Sequence, residues 1–291
     1  MREEQLQELI ATRVHRPGAI AEAAGTRVRP SSLLGEHGRL MMIAADHPAR
    51  GALRAGERAL AMADRAELLD RLVLALSRPG VNGVLGTADV LEDLLLLGAL
   101  DGKVVVGSMN RGGLAGTVFE MDDRFTGYDA AAIAAAGFDG GKMLTRIDPD
   151  DPTTVATLES CGHAVSDLAA HGLMAMVEPF ISHRVDGRVR NELTAEAMIR
   201  AQTVAAGLGR TSAHTWLKVP IVEEMERAMA ATTLPAVILG GEVGQDQDAT
   251  FASWAKALAL PTVQGLVIGR SLLYPPGDDV AAAVDAAVGL L

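Results

Sequence analysis

Residues 215–241 read TWLKVPIVEEMERAMAATTLPAVILGG. Two short apolar runs, Thr215–Val219 and Ala236–Leu239, have strand composition, and the segment between them, Glu223–Ala231, has helical periodicity. A strand, a helix and a second strand in this order are expected of a parallel sheet with a helical crossover. Upstream and downstream the same alternation predicts strands at Leu40–Ala45, Gly83–Leu85, Val104–Gly107, Gly141–Leu144, Leu173–Val177 and Gly265–Ile268. Helices are predicted at Arg65–Ser77, Val90–Gly98, Tyr128–Ala136, Thr153–His171, Ala195–Gly207 and Ala249–Leu258. Eight strands alternating with helices make an α/β chain, a (β/α)8 TIM barrel. The open doubly wound sheet is disfavoured, because no GxGxxG follows the first strand and no GxxxxGK[ST] occurs. An amphipathic helix at Glu3–Thr12 and the connection RVRPSSLLGEHGR precede the first strand and read as a cap. The expected organisation is one domain over residues 1–291, with 1–37 the cap and 38–291 the barrel.

Composition supports a large core and narrows the partners. The chain has 49% hydrophobic and 22% charged residues, with a mean hydropathy of +0.21. A net charge of −11 repels nucleic-acid phosphates, so an anionic ligand must be held by a local pocket. The apolar stretch around Val90–Leu100 is broken by Glu92 and Asp93 and is too short for a bilayer, so no membrane partner is expected. Cys161 is the only cysteine, and the N-terminus lacks the pattern of a signal peptide, which together point to the cytoplasm.

In a parallel barrel, residues just after each strand converge on one face. They are Asp46 and His47, Asn110 and Arg111, Lys142, Glu178, Lys218, Gly240–Gly241–Glu242, and Gly269–Arg270. The sequence has four lysines, Lys103, Lys142, Lys218 and Lys256, and two fall within predicted barrel strands. Burial and a second cation both lower an amine's pKa, so a Lys142/Lys218 pair can supply a neutral nucleophile for a Schiff base. A structural ion pair with Glu178 or Asp46 is the plainer alternative. Those two carboxylates are the candidates for proton transfer. Glycine-rich turns after the last two strands suit a phosphate site, with Arg270 supplying charge. No HxH or HExxH occurs among the histidines, so no metal ligand set is expected, although His47 and His183 could both reach the mouth. Trp216 shares a strand face with Lys218 and is a possible pocket wall.

The motifs AADHPARG, GGKMLTRI, MVEPF, WLKVPI, ILGGE and VIGRSLLY together resemble the class I aldolases of the deoxyribose-phosphate, archaeal-type fructose-bisphosphate and tagatose-bisphosphate superfamily. The resemblance spans about residues 38–275. It implies Lys218 as the Schiff-base lysine, Lys142 as the fourth-strand lysine, Glu178 as the fifth-strand glutamate and Asp46 as the first-strand aspartate. It implies phosphate binding by Gly240, Gly241, Gly269 and Arg270; His47, from its place after the first strand, is a further candidate for substrate binding. More narrowly, the chain resembles an actinobacterial barrel group found with myo-inositol catabolism. That group is proposed to cleave 5-dehydro-2-deoxygluconate 6-phosphate into dihydroxyacetone phosphate and malonate semialdehyde. The resemblance further implies a homo-oligomer, a small phosphorylated sugar or ketone as substrate, and no cofactor. The segment FISHRVDGRVRN (Phe180–Asn191) has no counterpart in the better-known members. Two other readings fit the same residues: a sugar-phosphate isomerase or transaldolase-type enzyme using Glu178 as base, and a non-catalytic sugar-phosphate-binding barrel.

Overall fold

A computed structural model describes residues 2–241, 243, 244 and 246–291. The elements run α1 (Glu3–His15), α2 (Ala19–Thr26), β1 (Leu40–Ala45), α3 (Arg65–Ser77), β2 (Gly83–Gly86), α4 (Ala88–Leu96), β3 (Val104–Ser108), α5 (Ala130–Ala135), β4 (Gly140–Ile147), α6 (Thr153–Ala170) and β5 (Met174–Val185). They continue β6 (Arg188–Asn191), α7 (Ala195–Ala206), β7 (Thr215–Val219), α8 (Met225–Met229), β8 (Ala236–Leu239), α9 (Gln247–Leu258), β9 (Val263–Ile268), α10 (Arg270–Leu273) and α11 (Val280–Val288). Among the described residues, eight strands pair in parallel in the order β4-β3-β2-β1-β9-β8-β7-β5, and a β4–β5 ladder closes the ring. This is the (β/α)8 barrel that the alternation predicts. Acidic or hydroxyl side chains start several of its helices: Asp64, Asp129, Thr194, Asp246 and Asp279 each accept a backbone N–H from the first turn.

Alternation along the strands sorts side chains between two cores. Leu40, Met42, Ala44, Leu85, Val104, Val106, Met174, Met176, Val237 and Val267 pack together inside the barrel. Met41, Ile43, Val84, Val105, Val177, Leu217 and Ile238 instead face the helices. Gly265 is required at the β9–β1 seam: a Cβ there would lie 1.9 Å from the Leu40 carbonyl oxygen. Leu33 and Leu34 of the N-terminal connection pack against the interior cluster from below. Arg27 donates to the carbonyls of Lys103 (2.8 Å), Gly137 (2.6 Å) and Leu100 (3.4 Å), tying the cap to the N-terminal ends of the strands. None of the helices among the described residues is long and apolar enough to cross a membrane.

Three features depart from the sequence reading. The strand expected at Leu173–Val177 runs on to Val185, turns at Asp186 and Gly187, and returns as β6. The turn residues have φ of 51° and 74°, as a two-residue hairpin of the I′ type requires. Helices α2 and α11 were not anticipated; both are short and rich in alanine, with few apolar residues of larger size to reveal a period. Trp216 lies one layer beneath Lys218 and packs on the interior cluster, so it forms floor rather than wall.

Candidate active site

The inward alternation that builds the barrel core continues upward into charge. Above Ala44 on β1 comes Asp46, above Val106 comes Ser108, above Met176 comes Glu178, and above Trp216 comes Lys218; Lys142 rises from β4 beside Ser108. The apolar layers end near the ends of β1, β3 and β7 and part-way along the longer β4 and β5, and the next inward position is polar all round the arc from β1 to β7. Asp46, Lys142, Glu178 and Lys218 are buried at 2%, 1%, 8% and 4% exposure. No charged side chain sits at that depth without a compensating partner.

Glu178 bridges the two lysines: one carboxylate oxygen, Oε1, accepts from Lys218 Nζ and the other, Oε2, contacts Lys142 Nζ. Lys142 also donates to Asp46 Oδ2 at 3.3 Å. That same oxygen pairs with the Arg111 guanidinium and lies 3.4 Å from Ser108 Oγ. Arg111 Nε in turn donates to Ser108 Oγ at 2.8 Å. Among the described residues, three cations, Lys142, Lys218 and Arg111, therefore face two carboxylates, Asp46 and Glu178.

This surplus of positive charge in a buried place favours loss of a proton from an amine. Burial pushes Lys142 well below the ordinary lysine value, and the Arg111 and Lys218 charges push the same way. Lys218 is lowered first by burial, then by Arg111 and Arg270, against the pull of Glu178. The cations that depress Lys218 are thus chiefly Arg111 and Arg270, where the sequence reading had given that part to Lys142. Burial alone would raise Glu178, but the two adjacent ammonium groups override it and hold the carboxyl well below its usual range. Arg111, fully enclosed, is brought down to about 10 by burial.

His47 stands beside this cluster, its Nδ1 3.7 Å from Asp46 Oδ1. Burial pushes its pKa well below the ordinary histidine value, and Arg270, Lys218 and Lys142 add to the effect. The glycines expected to hold phosphate occupy the neighbouring arc: Gly240 and Gly241 follow β8, and Gly269 and Arg270 follow β9, next to β1. A Cβ on Gly269 would come within 3.0 Å of the His47 ring and 2.5 Å of the Ala44 carbonyl, so the close approach needs glycine. Gly241 has a φ of 65°. Arg270 Nη1 donates to the Arg54 carbonyl at 3.2 Å. Glu242, grouped with these residues by sequence, lies outside the described residues.

Four residues with evident roles here were given none by the sequence reading. Ser108 and Arg111 complete the Asp46 cluster; the signal for Ser108 was its parity with Val104 and Val106. Arg146 donates to Asp123 at 2.8 and 2.5 Å, pinning the loop between β3 and α5 across the mouth. Asn110 bridges to the Leu144 backbone of β4 by bonds of 2.6 and 2.7 Å, which fixes the start of that loop. His183 is not in the mouth cluster: its ring lies 3.5 Å from Asp148 and 3.4 Å from Glu192 at the hairpin base. Cys161 lies within α6, buried, its thiol pushed up to about 12 chiefly by burial.

The sequence model of the family described as Cgl0159-like matches residues 38–288. The chain belongs to the Cgl0159-like family. It is similar to the crystal structure of Cgl0159 from Corynebacterium glutamicum (Brevibacterium flavum), with a TM-score of 0.97 and 53% identity over 100% of this chain and 97% of that one. A Schiff-base-forming fructose-1,6-bisphosphate aldolase aligns at a TM-score of 0.66 and 17% identity, over 93% of this chain and 99% of its own. An archaeal fructose-1,6-bisphosphate aldolase, with its catalytic lysine covalently bound to the carbinolamine intermediate, aligns at 0.67 and 16%, over 93% and 98%. At these identities the likeness of the Cgl0159-like chain to the class I aldolases is one of fold. No curated protein matches the sequence.

Proposed function

We propose that this Cgl0159-like protein is a class I aldolase, a lyase that makes or breaks a carbon–carbon bond in a phosphorylated ketose through a Schiff base on Lys218. The observation that carries the reading is the buried Lys142–Glu178–Lys218 bridge at the C-terminal end of the barrel, with one cation more than its carboxylates can balance. Lys142 is held by both Glu178 and Asp46, whereas Lys218, among the described residues, pairs with Glu178 and is the more accessible amine. A neutral Lys218 amine adds to the ketone carbon, and the carbinolamine loses water to give an iminium. Glu178, bonded to Nζ, holds the amine in place for that addition. The iminium then accepts the electron pair of the breaking carbon–carbon bond, and hydrolysis frees the lysine. The chemistry asks for no cofactor.

The glycines Gly240, Gly241 and Gly269, with Arg270, are proposed to hold the substrate phosphate next to this centre. Resemblance to the group associated with inositol catabolism nominates 5-dehydro-2-deoxygluconate 6-phosphate as substrate, with dihydroxyacetone phosphate and malonate semialdehyde as products. The proposal includes a cytoplasmic homo-oligomer. An isomerase using Glu178 as a free base is less well supported, because both of its oxygens are engaged by ammonium groups. The test is borohydride reduction in the presence of dihydroxyacetone phosphate, read by intact mass and peptide mapping. A stable adduct on Lys218 is expected. An adduct on Lys142 alone, or none with ligand bound, overturns the assignment.

A further inference from the structure

Aldol cleavage needs a group that takes the proton of the substrate hydroxyl, and the sequence nominated Glu178 or Asp46 for that task. The structure commits those carboxylates elsewhere. Glu178 has an ammonium group on each oxygen. Asp46 Oδ2 is shared by Arg111, Lys142 and Ser108. A carboxylate that serves as counterion to two or three donors is a poor proton acceptor. Among the described residues, the uncommitted acceptors at the mouth are Asp46 Oδ1 and the imidazole of His47, whose Nδ1 faces that oxygen at 3.7 Å and is buried without a hydrogen-bond partner. The His47 side chain is 26% exposed, against 3% for Asp46 and 10% for Glu178, so it is the group that a substrate entering from the mouth meets. Gly269 leaves the ring its space, between the cluster and the proposed phosphate arc.

We infer that His47, standing beside Asp46 Oδ1, is the proton-transfer residue of the carbon–carbon bond step. The inference rests on the Schiff-base reading. In cleavage, the uncommitted nitrogen of the neutral ring takes the hydroxyl proton as the carbonyl forms. The carbon–carbon electron pair moves into the iminium, giving an enamine and releasing the aldehyde. The imidazolium then returns its proton to the enamine carbon, which regenerates the iminium for hydrolysis. Proton and electron pair both balance, and no further reactant is needed. The charged groups facing the ring are Asp46 after β1, Lys142 on β4, Glu178 on β5, Lys218 on β7 and Arg270 on α10. Burial first, with Arg270, Lys218 and Lys142 adding to it against Glu178, disfavours the charged ring, so His47 rests in the neutral form that a proton acceptor needs.

The experiment separates the two steps with one ligand, dihydroxyacetone phosphate at saturating concentration. Borohydride trapping reads iminium formation, and exchange of its C–H proton in D2O reads enamine formation. His47→Gln is expected to keep trapping on Lys218 and to lose exchange by roughly 100-fold or more; His47→Asn serves as the second variant, with thermal melting as the check of folding. Exchange within about threefold of the unmodified protein overturns the inference while leaving the Schiff base in place. Loss of trapping along with exchange assigns His47 to phosphate binding instead and also overturns it. If the unmodified protein itself is not trapped, the aldolase reading falls, and this inference with it.

Discussion

The two ends of the barrel bury cations in opposite ways. At the bottom, Arg27 is 8% exposed and donates to the carbonyls of Leu100, Lys103 and Gly137. Near it, Lys103 donates to the Val81 carbonyl at 2.6 Å and Arg39 to the Leu258 carbonyl at 2.7 Å. Those acceptors are mostly backbone dipoles, which hold a charge in place and exchange no protons. At the top, Lys142, Lys218 and Arg111 face Asp46 and Glu178, groups that titrate and that are outnumbered. The bottom is built to be satisfied, the top to be short of negative charge. That difference, rather than the mere burial of a lysine, marks the functional end.

The comparison is broken most sharply at Lys218. Lys218→Met is expected to lower turnover, measured with dihydroxyacetone phosphate as product, on the order of 10³-fold or more. Its stability to urea should hold or rise, since the site loses its surplus cation. Arg27→Met should do the reverse, costing about 2–4 kcal/mol by leaving several carbonyls unpaired while turnover stays within about twofold. If both variants lost stability alike, the two ends would not differ in the way described.

Glu178→Gln removes the shared counterion and leaves two buried amines against a neutral amide, whose single oxygen can accept from only one side while its NH2 faces the other. The expected cost is about 3–5 kcal/mol in urea unfolding, together with loss of borohydride trapping. Retention of trapping would show that Glu178 is no more than a structural partner.

A smaller effect concerns pH. The free amine is the nucleophile and exists above its pKa, so the trapping rate should rise with pH and level off below the ordinary lysine value of 10.5. Because Arg111 contributes to that lowering, Arg111→Met should move the rising limb to higher pH, and Arg111→Lys should restore part of the shift. An unchanged limb in Arg111→Met would remove the guanidinium from the tuning of the site.

The smallest effect is expected at the hairpin, which belongs to neither end. Gly187 has a φ of 74°, and Gly187→Ala should cost about 1 kcal/mol locally, read as faster amide exchange in β6 without change in turnover. A large loss of turnover would tie the hairpin to the mouth, where Arg184 already reaches the Val118 carbonyl at 2.8 Å.

The hairpin also measures how far the sequence could be read. The Val185–Arg188 turn carries an Asp-Gly pair, a recognised hairpin signal, yet the apolar run that predicts the strand stops at Val177, and a proline stands two residues on. In the fold, β7 pairs with β5 only as far as Val177, so Pro179 sits where that side of the strand has no ladder left to break. Pairing with a distant strand decided the matter, and a local pattern could not.

By itself the sequence determined the barrel and brought Asp46, Lys142, Glu178 and Lys218 to its mouth, whereas Ser108 emerged only from the structure. Alternating apolar residues set strand faces, and the step of two carries Val106 to Ser108, Met176 to Glu178 and Trp216 to Lys218, so these side chains had to point inward once the strands formed. What the sequence could not give is who neutralises whom. Asp46 meets Arg111 from 65 residues away and Lys142 from 96, and Glu178 meets Lys218 across 40. Only closure of the ring brings these groups within a few ångströms in a medium where charge is costly. Both oxygens of Glu178 and one of Asp46 are thereby spent as counterions, and His47 is left as the neutral base.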